Sequence, residues 1–579
     1  MVRYMHIRQY IYPHRLQRKI IMKQLTPRDL NTLSKEDMAA MILQMQTTIN
    51  TLSEQLNIIN ANKYGRKSEK LKVIEGQMSI YDQAFNEAEA VVDENAETAK
   101  SGTNAETAAE AEPEIETVII HRKKHTGKRE EDLKGFPTRI EKHELTEEQL
   151  TEIFGRDGWK QLPDEVYKRL EYQPAVYEVV EHHIAVYTAK KDDTIVRADR
   201  PADLLRNSVA TPSLVAAVMN GKYANAMPLN RISEELARND VNLSRGTLAN
   251  WTIRSAERYL SLVYDRLKKH LCEQSVIQAD ETTVGVTKDG RPGTATSYMF
   301  VYRTSELQKE NPVILYKYEK TRGHEHTKEF LNNFKGTVVS DAFSGYKALE
   351  RENEGIISAF CWAHARRSYA DALKALKGPE KKHSKDTVAH KALIKIGNIY
   401  NAENNAKSMS PDERYKYRQE KVLPLVEAYF AWVKEQNPST ILSEKTRDGL
   451  EYSLNNEKQL RTFLKNGMVP IDNSATERAI RPFTVGRANW HIIDTVHGAE
   501  ASAVIYSLVE TAKANNLKIY EYLKFLLEKI PSHMDDKNLD FIDDFLPWSP
   551  SLPACCRSSC YVLYPAVWRG YFFQHGTHD

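Results

Sequence analysis

Two aspartates far apart in the chain each close an apolar run. Val276-Ile277-Gln278-Ala279 leads into Asp280, and Gly336-Thr337-Val338-Val339-Ser340 leads into Asp341. Brought together, two such carboxylates repel, and one would hold its proton unless a cation came between them. Mg²⁺ suits that position, because it is a hard ion that takes oxygen ligands, keeps waters and bridges carboxylates to phosphates. Aspartates at strand ends are common, so the pair alone does not specify the chemistry. A third acid lies in Ile471-Asp472-Asn473-Ser474-Ala475-Thr476-Glu477-Arg478-Ala479-Ile480-Arg481-Pro482. Asp472 or Asn473 can cap a helix there, with Glu477 and Arg481 one turn apart on one face and Ala479 and Ile480 toward a sheet. Alone, that helix reads as an ordinary surface carrying a Glu–Arg pair.

The elements between and just after the aspartates would decide whether they meet. Ser297 to Arg303 and Pro312 to Tyr318 read as strands rich in Tyr, Val and Ile, and Lys288-Asp289-Gly290 as a turn before the first of them. Glu325 to Phe334 reads as a helix, Ile356 to Phe360 as a fifth strand, and Trp362 to Leu376 as the next helix. Three strands, a helix, then a strand ending in acid is the order of an RNase H-like fold. There the first and fourth strands are neighbours, so Asp280 and Asp341 would sit side by side where ligands bind in open α/β sheets. Downstream, Ser410-Pro411-Asp412-Glu413 has a cap, a proline in the first turn and an acid at the third position. Helices are expected from Asp412 to Gln436 and from Glu444 to Leu464, with Gly467 closing the last.

Upstream, Met38, Ile42, Met45, Ile49, Leu52, Leu56 and Ile59 alternate steps of four and three, the seam of a short coiled coil that could pair two protomers. A helix packed on its own chain has the same pattern. Lys63 to Lys70 is a basic patch without the form of a phosphate loop, and Glu87 to Glu116 is an acidic, Ala-rich linker. His121 to Arg129 is basic again, suited to phosphates or simply solvated. Val176 to Tyr187 alternates as a strand would. Leu229, Ile232 and Leu236 form one helical stripe, Asn239-Asp240 a turn, and Ser244 can cap a second helix through Trp251. Two short helices about a tight turn match a helix-turn-helix, with Arg245, Thr247, Asn250 and Arg254 facing outward. The same outline also serves as plain structure.

The 579 residues call for several domains, with 41% hydrophobic and 28% charged residues in the ordinary soluble range. A net charge of +2 neither demands nor excludes a polyanion, so local clusters matter more than the total. Five cysteines are too few for a disulfide scaffold of this size, which reads as a reduced, cytoplasmic protein. No apolar run approaches the roughly 20 residues needed to span a bilayer, so a membrane role is not expected.

Taken in order, several blocks resemble the transposases of the insertion sequence 66 family. They are Val276–Asp280-Glu281-Thr282, Val339 to Tyr346, Cys361-Trp362-Ala363-His364-Ala365-Arg366-Arg367, Asp472-Asn473 through Glu477-Arg478 to Arg481-Pro482, and Ser507 to Lys513. The likeness runs from about Lys23 to Pro553. It implies a DDE transposase that cuts and joins DNA, with Asp280, Asp341 and Glu477 holding Mg²⁺ or Mn²⁺ and a helical insertion interrupting the RNase H-like core. Arg478, Arg481, Arg366, Arg367 and Lys513 become candidates for phosphate contacts near the site. The family commonly carries Cys-x-x-Cys pairs ahead of the helical DNA-binding segment. Phe154 to Trp159 and Tyr187 to Val196 contain no cysteine, so no zinc is expected, and that module would rest on Trp159, Tyr167, Leu170 and Tyr172.

The expected architecture is multidomain α/β plus α. It comprises an extension (1–21), coiled coil and basic patch (22–82), acidic linker (83–120), basic segment with a small α+β module (121–200) and helix-turn-helix-like segment (201–272). The RNase H-like core (273–378 and 470–515) would be split by the helical insertion (379–469), with a C-terminal helix and atypical tail (516–579) after it. Met22 is the expected start. Expected partners are element ends and target DNA, a second copy through the coiled coil, and small accessory proteins of the element, in a nucleoid-associated bacterial setting. The alternatives are a catalytically silent DNA-binding descendant of such an element and a plain RNase H-type nuclease.

Overall fold

The computed structural model describes residues 45–46, 48–56, 140, 145–155, 176–188, 195–199, 203–292, 295–376 and 384–558. In chain order the principal elements are α1 (Glu147–Phe154), β1 (Val186–Thr188), β2 (Ile195–Arg197), α2 (Pro212–Met219), α3 (Leu229–Arg238), α4 (Arg245–Ser255) and α5 (Ser261–Cys272). Then come β3 (Val276–Lys288), β4 (Ser297–Thr304), β5 (Ile314–Glu319), α6 (His324–Phe330), β6 (Gly336–Ser340), α7 (Ser344–Glu352), β7 (Ile356–Phe360) and α8 (Trp362–Ala375). The chain continues through α9 (Val388–Asn405), α10 (Pro411–Tyr417), α11 (Leu423–Glu435), α12 (Glu444–Asn455), α13 (Ser474–Trp490), β8 (Ile492–Thr495), α14 (Val496–Ala514) and α15 (Ile519–Lys529). The fold is mixed α/β with a helical majority, divided into two compact units. One contains residues 80–336 and 475–579, the other 1–79 and 337–474.

In the first unit β3, β4 and β5 form an antiparallel meander in which Asp280 pairs with Val301 and Val301 with Tyr316. The run through Asp280 does not stop at the carboxylate, as its sequence suggests. β3 continues to Lys288, because Val284 and Val286 stay buried and its far half gains β8 as a parallel partner at Gly285–Ile492. The β5 edge is not left open. Ser507 Oγ of α14 accepts from Tyr316 N at 2.7 Å, and Thr511 Oγ1 accepts from Ile314 N at 3.0 Å. Two hydroxyls one helical turn apart thus satisfy amides that a further strand would otherwise claim. Ser244 caps α4 by accepting from Thr247 N, as its position predicts. The predicted strand over Val176–Tyr187 is largely absent. Residues 176–185 form no strand, with Val176 and Val179 88% and 90% exposed; among the described residues the ladder is limited to Val186–Thr188 with Ile195–Arg197, prolonged by one bond from Ala198 N to Ala185 O at 2.9 Å. Alternation without a surface to pack on does not hold a strand. The predicted helix to Phe334 ends at Phe330 and gives way to turns.

In the second unit β6 and β7 are neighbouring strands, and Asp341 directly follows β6. The helical part packs around Trp362, whose ring lies 5.3 Å from Tyr429 and 5.8 Å from Phe430. Ser410 and Glu413 form the expected capping box at α10. The long helix after it is continuous but widens to a π turn at Arg418–Val422 just before Pro424, whose ring cannot donate to the ladder. The other predicted helix, to Leu464, breaks after Asn455. There Asn456 leaves helical backbone angles (φ −125°) and its Nδ2 turns back to Tyr452 O at 2.6 Å. Arg414 and Arg418 fasten this region from inside. Arg414 donates to Ala406 O and Gly467 O, and Arg418 to Glu403, Phe463 O and Asn466 O.

Residues 48–56 are helical, and Met45, Ile49, Leu52 and Leu56 are each more than half exposed. Glu54 of this helix caps α12, accepting from Ser443 Oγ at 2.6 Å and Glu444 N at 2.8 Å. Met38, Ile42 and Ile59, the basic patches, the acidic linker, Trp159, Tyr167, Leu170, Tyr172, and residues 1–21 and 559–579 lie outside the described residues.

Candidate active site

Strand geometry sets which way Asp280 points. Directly paired residues share a face, so Gln278, Asp280 and Thr282 of β3 share theirs with Arg303, Val301 and Met299 of β4 and with Tyr316 of β5. α13 crosses that face. Arg303 Nη1 donates to Ala475 O at 3.0 Å, Tyr316 Oη donates to Ala479 O, and Arg487 Nη1 donates to Thr282 Oγ1 at 3.2 Å. Ala475, Thr476, Ala479, Ile480 and Phe483 are buried along the helix. Glu477 lies in its first turn, half-buried, where the helix dipole favours an anion. Asp280 and the helix that carries Glu477 therefore meet on one side of one sheet. Glu281 points the other way and pairs with Arg322.

Sequence reasoning missed Arg303. Burial pulls its guanidinium down to about 10, with Glu306 opposing the fall. The available signal was a cation at an inward position of a strand whose run before it is Tyr-Met-Phe-Val-Tyr.

In the other unit, Asp341 Oδ1 accepts from Phe343 N at 3.0 Å, closing the turn after β6. Burial lifts the Tyr452 phenol well above its ordinary value; Cys361 and the Asp341 carboxylate add to the rise and Arg367 opposes it. Asp341 thus stands near Tyr452, and Tyr452 Oη donates to Cys361 O at 3.3 Å. Residues 471–474 are fastened within the same unit. Trp362 N donates to Ile471 O, Asn473 N to Cys361 Sγ at 3.1 Å, and Ser474 N to Asp472 Oδ1 at 3.0 Å. Asp472 thus turns the chain into α13, and its Oδ2 accepts from Tyr400 Oη at 3.0 Å. Sequence blocks some hundred residues apart converge here because buried backbone amides must find acceptors.

The predicted cations fare differently. Arg366 and Arg367 are half-buried on α8, and Arg481 is half-buried on α13. Arg478 is exposed and pairs with Glu306 at 3.0 Å. Lys513 is turned inward to Glu510 at 2.7 Å, so its charge is already answered within the fold. Arg245, Asn250 and Arg254 are exposed on α4. Arg245 adds to the pull of Lys288 and Thr287 that holds Asp494 below its ordinary value. His324-Glu325-His326 makes no shared site, since His326 turns to Glu319 at 3.0 Å. Among the described residues no three His, Cys, Asp or Glu side chains gather closely enough to hold a metal ion. The chemistry of the donors still suits a hard cation, because Asp280, Asp341 and Glu477 offer carboxylate oxygens alone.

The sheet thus bears a half-buried aspartate and is covered by a helix with an acid in its first turn. Residues 207–501 match the Transposase IS66 family and residues 507–548 the IS66 C-terminal element. Residues 51–144 match the Transposase C of IS166 homeodomain. The first match covers just over half of the chain, which belongs to the IS66 transposase family. Similar curated proteins come from Sinorhizobium fredii. The uncharacterized protein y4hP is 25% identical over 72% of this chain and 76% of its own. The uncharacterized protein y4qI is 27% identical over 66% and 70%. The family implies DNA binding, and no helix among the described residues is long and apolar enough to cross a membrane.

Proposed function

We propose that this chain cleaves and rejoins DNA strands at the ends of an insertion sequence, with Asp280, Asp341 and Glu477 as its catalytic carboxylates on an RNase H-like core interrupted by a helical insertion. The observation that carries the reading is the shared face of Asp280 and α13, held by Arg303, Tyr316 and Arg487. The three carboxylates would hold Mg²⁺ or Mn²⁺. When bound, such an ion supplies activation of the attacking oxygen and stabilisation of the leaving oxygen in phosphoryl transfer. In this reading Asp280 is carried by β3, Asp341 by the turn after β6 and Glu477 by the first turn of α13. Arg366, Arg367, Arg478 and Arg481 are assigned to backbone phosphates, and Arg245, Asn250 and Arg254 to the DNA docked on α4.

Two copies pair through the exposed stripe of Met45, Ile49, Leu52 and Leu56. The test is cleavage and strand transfer on paired element ends with Mg²⁺. Asp280→Asn, Asp341→Asn and Glu477→Gln are each expected to lose more than about 100-fold in rate, beyond the scale of outer-sphere substitutions. DNA affinity should be kept. Full activity in any of the three removes that residue from the site, and wild-type protein that binds ends without cutting them identifies a silent DNA-binding descendant.

A further inference from the structure

The unit of residues 80–336 and 475–579 holds a concavity of about 360 Å³ lined by Leu205, Arg206, Arg254, Glu257 and Arg258. Three of its five lining side chains are guanidinium groups. The acid among them is already engaged, since Glu257 Oε1 lies 2.7 Å from His497 Nδ1. Among the described residues, none of the three arginines forms an ion pair with a carboxylate. Three guanidinium groups against one carboxylate leave an excess of positive charge, and an anion in the concavity would offset their repulsion.

The walls are built rather than incidental. Tyr259 is buried, and its hydroxyl donates to Leu204 O at 2.8 Å, pinning the segment that presents Arg206. Leu204 and Leu205 are buried, and Asn207 turns the chain away with a left-handed φ of 54°. Opposite, α4 runs into a π turn at Ala256–Leu260 whose ends are fully buried. Arg258 lies over the Tyr259 ring at 5.3 Å, which orients its plane and leaves its edge donors for a ligand.

The geometry points to a phosphate-binding pocket, formed by Arg206, Arg254 and Arg258, that takes the sugar–phosphate backbone of duplex DNA. Planar guanidinium forks match phosphate oxygens two at a time. The pocket sits at the C-terminal end of α4, the second helix of the helix pair. In helix-turn-helix docking, bases are read from the N-terminal residues of that helix. The arginine pocket therefore fixes register on the duplex without reading sequence. This assignment rests on the reading of the chain as a DNA-handling enzyme.

The experiment uses the full chain, a labelled duplex carrying the element end and a scrambled duplex of equal length. Binding is measured by anisotropy between about 50 and 200 mM salt. Arg206→Gln, Arg254→Gln, Arg258→Gln and the triple variant are compared with wild type, after circular dichroism and Tm verify that each is folded. The triple variant is expected to flatten the plot of log affinity against log salt by about 0.9 for each phosphate it no longer neutralises. It should weaken both duplexes by the same factor, and Arg254→Lys should keep most of the slope. Unchanged slope and affinity overturn the pocket. A weakening confined to the element-end duplex overturns it too, since the arginines would then read bases. Arginine-dependent binding of inorganic phosphate with an unchanged DNA slope assigns the pocket to a free anion instead. Wild-type protein that binds neither duplex overturns the DNA reading itself, a different failure from variants that match a binding wild type.

Discussion

Arg303 Nη1 donates to Ala475 O at 3.0 Å, so the middle strand of the β3–β4–β5 meander holds the first turn of the helix that carries Glu477. The guanidinium is largely desolvated, which is why its pKa falls to about 10. Such a group is kept for the geometry it enforces rather than for surface charge. Arg303→Met should lower stability by about 1–3 kcal/mol, the cost of a buried hydrogen-bonding group left unpaired. If Glu477 acts as proposed, strand cleavage should show a lower kcat with little change in KM for DNA, because Glu477 loses its support while the DNA-docking surface proposed on α4 does not. A variant with unchanged kcat would show that α13 needs no tie to β4.

Arg418 is fully buried in the helical unit, and its carboxylate partner among the described residues is Glu403. Its other donors reach Phe463 O and Asn466 O. Arg418→Met strands the Glu403 carboxylate and two carbonyls together, and should cost about 3–5 kcal/mol in denaturant unfolding. Limited proteolysis should find the segment between α9 and α12 first.

Glu510 titrates above its ordinary value of 4.5, because burial raises it more than Lys513 lowers it. A carboxyl raised in the folded state contributes favourably below its unfolded value, where both states hold the proton, and that contribution is lost as pH rises through the folded value. Glu510→Gln should therefore raise Tm at pH 7, with the advantage closing as pH falls toward about 4.5. Melting curves across that window test the sign, and a Gln variant less stable at pH 7 would mean that the Lys513 ion pair outweighs burial.

The exposed stripe on residues 45–56 should set the oligomeric state. Leu52→Lys with Leu56→Lys keeps helix propensity and takes two apolar side chains out of the seam. Light scattering should report the monomer mass for this variant and a multiple of it for wild type. Equal masses would remove the stripe from the interface.

Local signals were legible because they act within one turn or one strand. Ser244 caps α4 and Ser410 with Glu413 boxes α10, as their spacing predicts. Asp341 follows β6 where the apolar run ends. Asp280 was recognisable as a residue but not as a mid-strand one, because β8 extends β3 from a part of the chain 207 residues away in the Thr287–Asp494 contact. The break at Asn456 was hidden for the opposite reason, since good helix formers surround a residue whose buried amide prefers to turn back.

Residue type and short-range periodicity by themselves determined the strands and helices around the acids, the caps that start α4 and α10, and the family to which the blocks belong. Only tertiary structure decided that Arg303 would grip Ala475, that Ser507 and Thr511 would close the β5 edge, and that Glu54 would cap a helix 389 positions away. Each of these satisfies a buried or terminal polar group with a partner distant in sequence. Such pairings obey the demand that every buried donor and acceptor be matched, a demand that leaves no periodic trace in the chain.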